Sequence, residues 1–138
     1  MNKSKWMAGL LALAFAGGSA IAAEPATKKD AAASVAGVPT GIVDGAAAHQ
    51  LVASGVKVVD VRTPAEFAEG HVPGAINIPY DEMEKRSAEI GPQSTPVLVY
   101  CRTGHRSGIA ARTLREKGFS TLFDLQKYDK WVESEPKR

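Results

Sequence analysis

The stretch that decides the fold is residues 97–108, which read VLVYCRTGHRSG. The apolar and aromatic residues ahead of Cys101 are typical of a buried strand. A short basic loop follows, and Ser107 is of a type that often begins a helix as its N-cap. The stretch therefore predicts a strand, a loop and a helix in immediate succession, with Cys101 as the first residue of the loop.

Strand and helix patterns alternate on both sides of this stretch. The β-branched residues 56–61 predict a central strand, and Thr63, Pro64 and Glu66 form a capping box that starts a short helix ending at Gly70. Such alternation favours an α/β fold, a single domain with a mostly parallel central sheet and helices on both faces. The other predicted elements are a helix from Asp44 to about Gly55, a short strand at 75–78, a helix from Asp81 to about Ile90, a helix from Ser107 to Gly118, a strand at 119–123 and a terminal helix over 128–131.

Length and composition suit one domain with its own core. The chain has 138 residues, of which 44% are hydrophobic and 23% are charged. A chain of this length and hydrophobic content can bury enough apolar surface to form one core. We expect the domain to occupy residues 41–138. Residues 23–40 are rich in Ala, Lys, Thr and Pro, and this composition predicts a flexible tether.

The N-terminus has the pattern of an export signal. Lys3 and Lys5 precede an apolar stretch at residues 6–15, and small residues follow, ending in Ala20-Ile21-Ala22. An uncleaved membrane anchor is the alternative, but the apolar run is short for a membrane span. We therefore expect residues 1–22 to be a signal peptide, the protein to be exported to the periplasm, and no stable membrane insertion after cleavage.

Charge and cysteine content narrow the functional classes. Without residues 1–22 the chain has fifteen Lys and Arg (17 less Lys3 and Lys5) against fifteen Asp and Glu, and no basic stripe with interleaved aromatic residues, so we expect no nucleic-acid partner. A single cysteine cannot form an internal disulfide and argues against a structural zinc site. Cys101 is therefore a buried inert thiol, one half of an intermolecular disulfide or a chemically reactive thiol.

The loop after Cys101 combines groups that stabilise an anionic sulfur. Arg102 and Arg106 supply fixed positive charge, and Gly104 lets the backbone turn its N–H groups inward. Ser107 would end the loop and cap the following helix, whose N-terminus also favours an anion. We expect a cradle that holds a thiolate, a persulfide or an oxyanion substrate around a nucleophilic cysteine.

Each part of the loop also has a structural interpretation. A cysteine beside an apolar strand can be a small core residue, and arginines near a turn can be solvated surface charges. His105 is either a proton donor or a side chain that points to solvent. The loop follows the carboxyl end of a strand, where parallel sheets bind ligands, and this position favours the catalytic interpretation of Cys101. We expect His71 to bond a backbone group and His49 to have no catalytic role.

Two segments resemble the rhodanese (sulfurtransferase) family, namely residues 58–79, which read VVDVRTPAEFAEGHVPGAINIP, and residues 101–107, which read CRTGHRS. The resemblance covers residues 41–132 and is to small, exported, single-domain members. It implies a two-step reaction without a cofactor, in which Cys101 takes sulfur from thiosulfate or a persulfide and passes it to cyanide or a thiol.

The resemblance also assigns roles to residues around the loop. It implies that Asp60, Arg62 and Glu66 form a framework beside the loop, and Asp60 is a candidate partner for a loop arginine. The residues implied to bind the small anionic sulfur donor are Arg102, Thr103, Gly104, His105, Arg106 and Ser107.

Two other functions share this fold. Related phosphatases have a C-x5-R loop preceded by His, whereas this chain has C-x4-R from Cys101 to Arg106 and Tyr100 at the His position. The shorter loop favours one sulfur atom over a tetrahedral phosphate. A non-catalytic module that binds sulfur or an anion is the third possibility, but such modules usually lack the cysteine. One departure from the family is that Leu125-Gln126-Lys127-Tyr128 stands where members often have a Gly-Gly turn.

Overall fold

The computed structural model describes residues 34–137. The strands are β1 (Ser34–Val35), β2 (Val38–Pro39), β3 (Gly41–Ile42), β4 (Lys57–Asp60), β5 (Ile76–Asn77), β6 (Val97–Cys101) and β7 (Leu122–Lys127). The helices are α1 (Gly45–Ala53), α2 (Pro64–Glu69), α3 (Met83–Arg86), α4 (His105–Glu116) and α5 (Tyr128–Glu133). Five strands form one parallel sheet in the order β3-β7-β6-β4-β5, while β1 and β2 form a separate antiparallel pair.

Strand β6 lies at the centre of the sheet, and all five of its residues are buried. Its side chains alternate between the faces: Val97, Val99 and Cys101 join the core that includes residues of α3 and α4. Leu98 and Tyr100 join the core that includes residues of α1 and α5. A strand covered on both faces is continuously apolar, as residues 97–100 are. The predicted α/β fold with a parallel sheet flanked by helices is confirmed.

Two predicted helix starts are also confirmed. The Asp44 carboxylate accepts the Ala47 N–H at 2.8 Å and caps α1. Thr63 Oγ1 accepts the Glu66 N–H at 3.2 Å, while the Glu66 carboxylate accepts the Thr63 N–H at 3.2 Å, which completes the capping box of α2. These caps satisfy backbone donors that no carbonyl within the helix can reach.

Two predicted elements differ from the structure. Residues 81–90 do not form one helix: α3 has four residues and is flanked by 3₁₀ turns at Tyr80–Glu82 and Ser87–Glu89. Met83 and Ile90 are the buried residues there, too few to form the apolar stripe that holds a longer helix against a core. The last strand was predicted at 119–123 but runs from Leu122 to Lys127, because Phe119 still belongs to the turn after α4, where its N–H bonds the Leu114 carbonyl at 3.0 Å.

Part of the predicted tether has regular structure. Residues 34–39, placed in the tether from composition, form the β1–β2 pair, and Val38 is buried against the core because its apolar side chain packs there. The rest of the predicted tether and the predicted signal peptide lie outside the described residues. Within residues 34–137, no helix combines the length and apolar character needed to cross a bilayer.

Candidate active site

Parallel strands bring the candidate residues to one edge of the sheet. Asp60 ends β4, Cys101 ends β6, and Lys127 ends β7, so three neighbouring carboxyl ends lie side by side. The N-terminus of α4 follows Cys101 after only three residues and therefore lies at the same edge. Carboxyl ends of parallel strands are where ligands bind in α/β sheets.

The Cys101 sulfur has one hydrogen-bond donor and one acceptor beside it. The Gly104 N–H donates to Sγ at 2.9 Å, and the thiol faces the Gln126 carbonyl oxygen at 3.4 Å. Gly104 has φ of +100°, a left-handed conformation that favours glycine, and it turns this N–H toward the sulfur. Cys101 itself is fully buried. The loop thus holds the sulfur through its backbone and shields it from water.

Ser107 does not cap α4 as predicted. Gly104 is the N-cap residue and α4 begins at His105. Ser107 is therefore the third residue of the helix, in its first turn, and it is buried. Its Oγ donates to the Gly104 carbonyl at 3.1 Å. The prediction was wrong because the left-handed Gly104 starts the helix early, and Ser107 instead ties the helix to the loop.

The two loop arginines have different surroundings. Arg106 donates to Glu66 from Nη1 at 2.9 Å and from Nη2 at 3.2 Å, which joins α4 to α2. These hydrogen bonds lower the pKa of Glu66 and raise the pKa of Arg106. Arg102 is exposed and forms no ion pair with any of residues 34–137. The charge of Arg106 is therefore already partnered, whereas that of Arg102 faces solvent.

Asp60 pairs with Arg62 rather than with a loop arginine. Arg62 Nη2 lies 2.6 Å from Asp60 Oδ2, and its Nε lies 3.0 Å from both carboxylate oxygens. Burial disfavours the Arg62 charge, but the hydrogen bonds and the charge of Asp60 outweigh it, so the pKa of Arg62 is raised. Asp60 does not pair with a loop arginine because the guanidinium of Arg62, only two residues along the chain, already binds both of its carboxylate oxygens.

Arg62 also connects this ion pair to the rim of the site. Its Nη2 donates to the Gly70 carbonyl at 2.6 Å, and its guanidinium lies 4.8 Å from the Tyr128 ring centroid. A guanidinium over an aromatic face is attracted to the ring. Asp60, Arg62 and Glu66 therefore form a framework beside the loop in geometry, with Arg62 as its link to α5.

The turn at Gln126, which stands where related proteins often have a Gly-Gly pair, was singled out in the sequence as a departure, and its carbonyl faces the Cys101 thiol. Gln126 has φ of +71°, a left-handed conformation that glycine adopts more easily. The Asp124 carboxylate accepts the Gln126 N–H at 2.8 Å, and Lys130 Nζ donates to Gln126 Oε1 at 2.9 Å. The absence of glycines marked this turn in the sequence. Asp124, two residues before Gln126, was a second indication, because an Asp side chain can accept such a backbone N–H.

Asp124 is a buried carboxyl group under the loop. Burial raises its pKa, while the nearby Ser107 hydroxyl and the hydrogen bond from the Gln126 N–H at 2.8 Å oppose that change. It thus contacts both the first turn of α4 and the backbone that faces the Cys101 thiol. The strand predicted at 119–123 ended one residue before Asp124, whereas Asp124 lies within β7.

The remaining loop residues lie at the surface, and the other two histidines contact residues outside the loop. Thr103 and His105 are exposed. His71 bonds the Phe67 carbonyl through Nδ1 at 2.8 Å, which confirms its predicted backbone contact. His49 stacks on Trp131 with ring centroids 3.6 Å apart. Within residues 34–137, no three His, Cys, Asp or Glu side chains are grouped so that they could hold a metal ion.

A cavity of about 290 Å³ opens beside the loop. It lies between the C-terminal part of α2, the loop and the start of α5. Its charged and aromatic lining residues are Arg62, Glu66, Glu69, Arg102, Tyr128 and Asp129. Cys101 is not part of its wall, but the next residue in the chain is.

Comparisons with known proteins agree with this geometry. Among curated proteins, the chain is similar to thiosulfate sulfurtransferase 16 of Arabidopsis thaliana, with 37% identity over 63% of this chain and 82% of that protein. It is also similar to thiosulfate sulfurtransferase PspE of Escherichia coli, with 43% identity over 45% of this chain and 61% of that protein. The second match thus spans about three fifths of its relative.

The structural comparison extends over more of the chain. The human single-domain sulfurtransferase TSTD1 superimposes with a TM-score of 0.62 at 30% identity, over 72% of this chain and 100% of that one. The family model for the rhodanese-like domain matches residues 45–134, which include the sheet's central strands, the Cys101 loop and the Asp60–Arg62 pair. The chain belongs to the rhodanese-like family.

Proposed function

We propose that the protein is a sulfurtransferase that moves sulfane sulfur through a persulfide on Cys101. In the first step the Cys101 thiolate attacks the outer sulfur of thiosulfate, or of a persulfide donor. A new S–S bond forms, the donor S–S bond breaks, and its electron pair leaves on sulfite when the donor is thiosulfate, or on a thiolate when the donor is a persulfide. In the second step cyanide or a thiolate attacks the outer sulfur of the persulfide, which restores the Cys101 thiolate and releases thiocyanate or a new persulfide.

The observation that carries the proposal is the hydrogen bond from the Gly104 N–H to Sγ at 2.9 Å. A backbone N–H aimed at sulfur at a helix N-terminus stabilises the anion present before and after each transfer. The Gly104 N–H already points at the sulfur before any sulfur donor binds.

The charges around the loop support an anionic donor. Arg102 is exposed and has no ion-pair partner among residues 34–137, so its guanidinium is free to attract thiosulfate. Arg106 is held by Glu66, and its role is to fix the start of α4 against α2. The relatives named thiosulfate sulfurtransferases in plants and bacteria support the same donor class.

A phosphatase function is less well supported. The residue before Cys101 is Tyr100, whose side chain enters the opposite core and whose hydroxyl accepts the Val72 N–H at 3.0 Å. Burial raises the pKa of Tyr100, so it does not exchange protons near neutral pH. Tyr100 therefore does not replace the His that precedes the phosphatase cysteine.

A non-catalytic module is favoured by one observation, the full burial of Cys101. For the proposed reaction, the loop at residues 102–104 must shift enough for the outer sulfur of a donor to reach Sγ. The test of the proposal therefore measures sulfur on the protein directly.

Intact-mass spectrometry after incubation with thiosulfate tests the proposal. We expect the mass of one sulfur atom to be gained and then lost on addition of cyanide, with thiocyanate released. The Cys101→Ser variant should gain nothing while keeping its circular dichroism spectrum. No adduct on the wild-type protein with any of thiosulfate, a persulfide or a polysulfide would refute the sulfurtransferase proposal and leave the binding module.

The role of Arg102 has a matched control. Arg102→Ala should raise KM for thiosulfate several-fold, because an exposed cation near the entrance attracts a dianion. Arg112 is an exposed arginine further along α4, and Arg112→Ala should leave KM unchanged. Equal KM values for both variants would mean that Arg102 is an ordinary surface charge.

We also propose that the protein works outside the cytoplasm, in the periplasm. The support is the charge, apolar and small-residue pattern of residues 1–22. Expression of the full chain in a Gram-negative bacterium should give a periplasmic form that begins after about Ala22. A full-length protein retained in the cytoplasm would contradict this.

A further inference from the structure

The cavity beside the loop has a charge pattern that neither thiosulfate nor cyanide explains. Two of its charged residues are neutralised by neighbours, since Arg62 pairs with Asp60 at 2.6 Å and Glu66 pairs with Arg106 at 2.9 Å. What remains on the wall is Glu69, Asp129 and Arg102, all exposed.

These three remaining charges have no ion-pair partner among residues 34–137. Glu69 ends α2 and Asp129 lies in the first turn of α5, so the two carboxylates reach the cavity from different elements. Asp129 also suits a helix N-terminus, but the last residue of α2 gains nothing from a carboxylate there. Two free carboxylates oppose the attraction of Arg102 for a small dianion, so the sulfur donor does not account for their place beside the residue that follows Cys101.

We propose that this cavity receives the sulfur acceptor, and that the acceptor is a thiol that carries an ammonium group. The ammonium group pairs with Glu69 and Asp129, while Arg102 donates hydrogen bonds to a carboxylate where the acceptor has one. A volume of about 290 Å³ suits a small organic molecule and lies near the lower end of ordinary ligand pockets, which begin at roughly 300 Å³. Tyr128, stacked near Arg62, supplies an aromatic wall against its carbon chain.

This inference rests on the proposed persulfide function. The acceptor thiolate attacks the outer sulfur of the Cys101 persulfide, the Cys101–sulfur bond breaks, and its electron pair returns to the Cys101 thiolate. The product is the acceptor's own persulfide. The ammonium group does not take part in the bond exchange and only orients the thiolate.

The test uses the full chain loaded with sulfur on Cys101 and three thiols of similar length. Cysteamine carries an ammonium group, 2-mercaptoethanol is neutral, and 3-mercaptopropionate carries a carboxylate. Loss of the persulfide is followed by rapid-quench mass spectrometry, and each rate constant is divided by the thiolate fraction at that pH. We expect cysteamine to react faster than 3-mercaptopropionate by about fivefold or more, in keeping with two exposed ion pairs.

The variant that tests the site is Glu69→Gln with Asp129→Asn. It should slow discharge by cysteamine and speed discharge by 3-mercaptopropionate. The corrected rate constants of both charged thiols should then approach that of neutral 2-mercaptoethanol. High salt should reduce the wild-type ratio in the same direction. The matched control is Glu116→Gln with Asp81→Asn, which removes two exposed acids that do not line the cavity and should keep the wild-type ratio.

The outcomes separate this inference from the proposed function. If no persulfide forms, the sulfurtransferase proposal fails first. If the persulfide forms but all three thiols discharge it equally, or if the site variant changes all three rates by one common factor, the acceptor inference is refuted while sulfur transfer stands. A changed ratio in the control variant would refute it as well, because net charge alone would then explain the preference.

Discussion

Replacing Asp60 by Ala should destabilise the domain more than any exposed ion-pair substitution. Asp60 is fully buried, the Arg62 side chain is only 7% exposed, and three side-chain hydrogen bonds of 2.6 to 3.0 Å join them. The Asp60 carboxylate also accepts the Arg62 backbone N–H at 2.9 Å. Removing the carboxylate leaves a buried guanidinium with the Gly70 carbonyl and the rings of Tyr100 and Tyr128 as its remaining partners.

Loss of one member of such a buried pair costs about 3–5 kcal/mol of unfolding free energy. In a domain of this size about 1 kcal/mol lowers the melting temperature by roughly 4 °C, so Asp60→Ala should lower it by about 12–20 °C. Guanidinium unfolding followed by circular dichroism measures the free energy, and a thermal scan measures the melting temperature.

Two further variants make this prediction sharp. Glu82→Ala removes one carboxylate from Arg86 at the surface, where both side chains are more than a third exposed, and should shift the unfolding midpoint only slightly. Asp60→Leu combined with Arg62→Met removes both charges and should recover much of the stability lost in Asp60→Ala, because no unpaired charge stays buried. If Asp60→Ala costs no more than Glu82→Ala, the buried pair does not stabilise the domain as argued.

Three other substitutions test the site's supports. Gln126→Ile should be less stable than Gln126→Gly by about 1–2 kcal/mol in chemical unfolding, since a β-branched residue resists a left-handed backbone, and equal stabilities would contradict that conformation. Asp124→Asn should gain stability over wild type as the pH rises above about 4, because the raised pKa of Asp124 makes its ionisation unfavourable in the folded state; parallel pH profiles would contradict this. Glu66→Gln should be less stable than wild type at neutral pH and should approach its stability in acid. Because the pKa of Glu66 is lowered in the folded state, its ion pair with Arg106 stabilises the fold fully above the ordinary glutamate pKa, and this stabilisation is lost as the pH falls through the lowered pKa. A difference in stability that is constant with pH would argue against that pair.

Local patterns predicted much of the fold. The capping box at residues 63–66 and the N-cap at Asp44 depend on neighbouring residues only, and both are confirmed. The helix predicted at 81–90 was wrong because its length depends on how much apolar surface the rest of the domain offers it. The strand pair at residues 34–39 was missed, because the burial of Val38 depends on a distant core.

Candidate site residues divide in the same way. The place of Cys101 where a strand meets a loop and the turn at Gly104 follow from residue types in sequence order, although Cys101 is the last residue of β6 rather than the first residue of the loop. The partners of the charged residues do not, since Asp60 took Arg62 and Arg106 took Glu66, forty residues away. Ser107 turned inward because the helix began earlier than its residue type indicated.

The sequence alone determined the order of strands and helices from α1 to α5, the loop with its cysteine, and the resemblance to the rhodanese family, because these depend on periodicity, capping and short motifs. Tertiary structure alone decided which charge neutralises which, how Asp124 and Gln126 close the edge where the glycines are missing, and that Glu69 and Asp129 line one cavity with Arg102. The physical reason is distance: strand periodicity acts over a few residues, whereas ion pairs and cavities form between segments that only the packed sheet brings together.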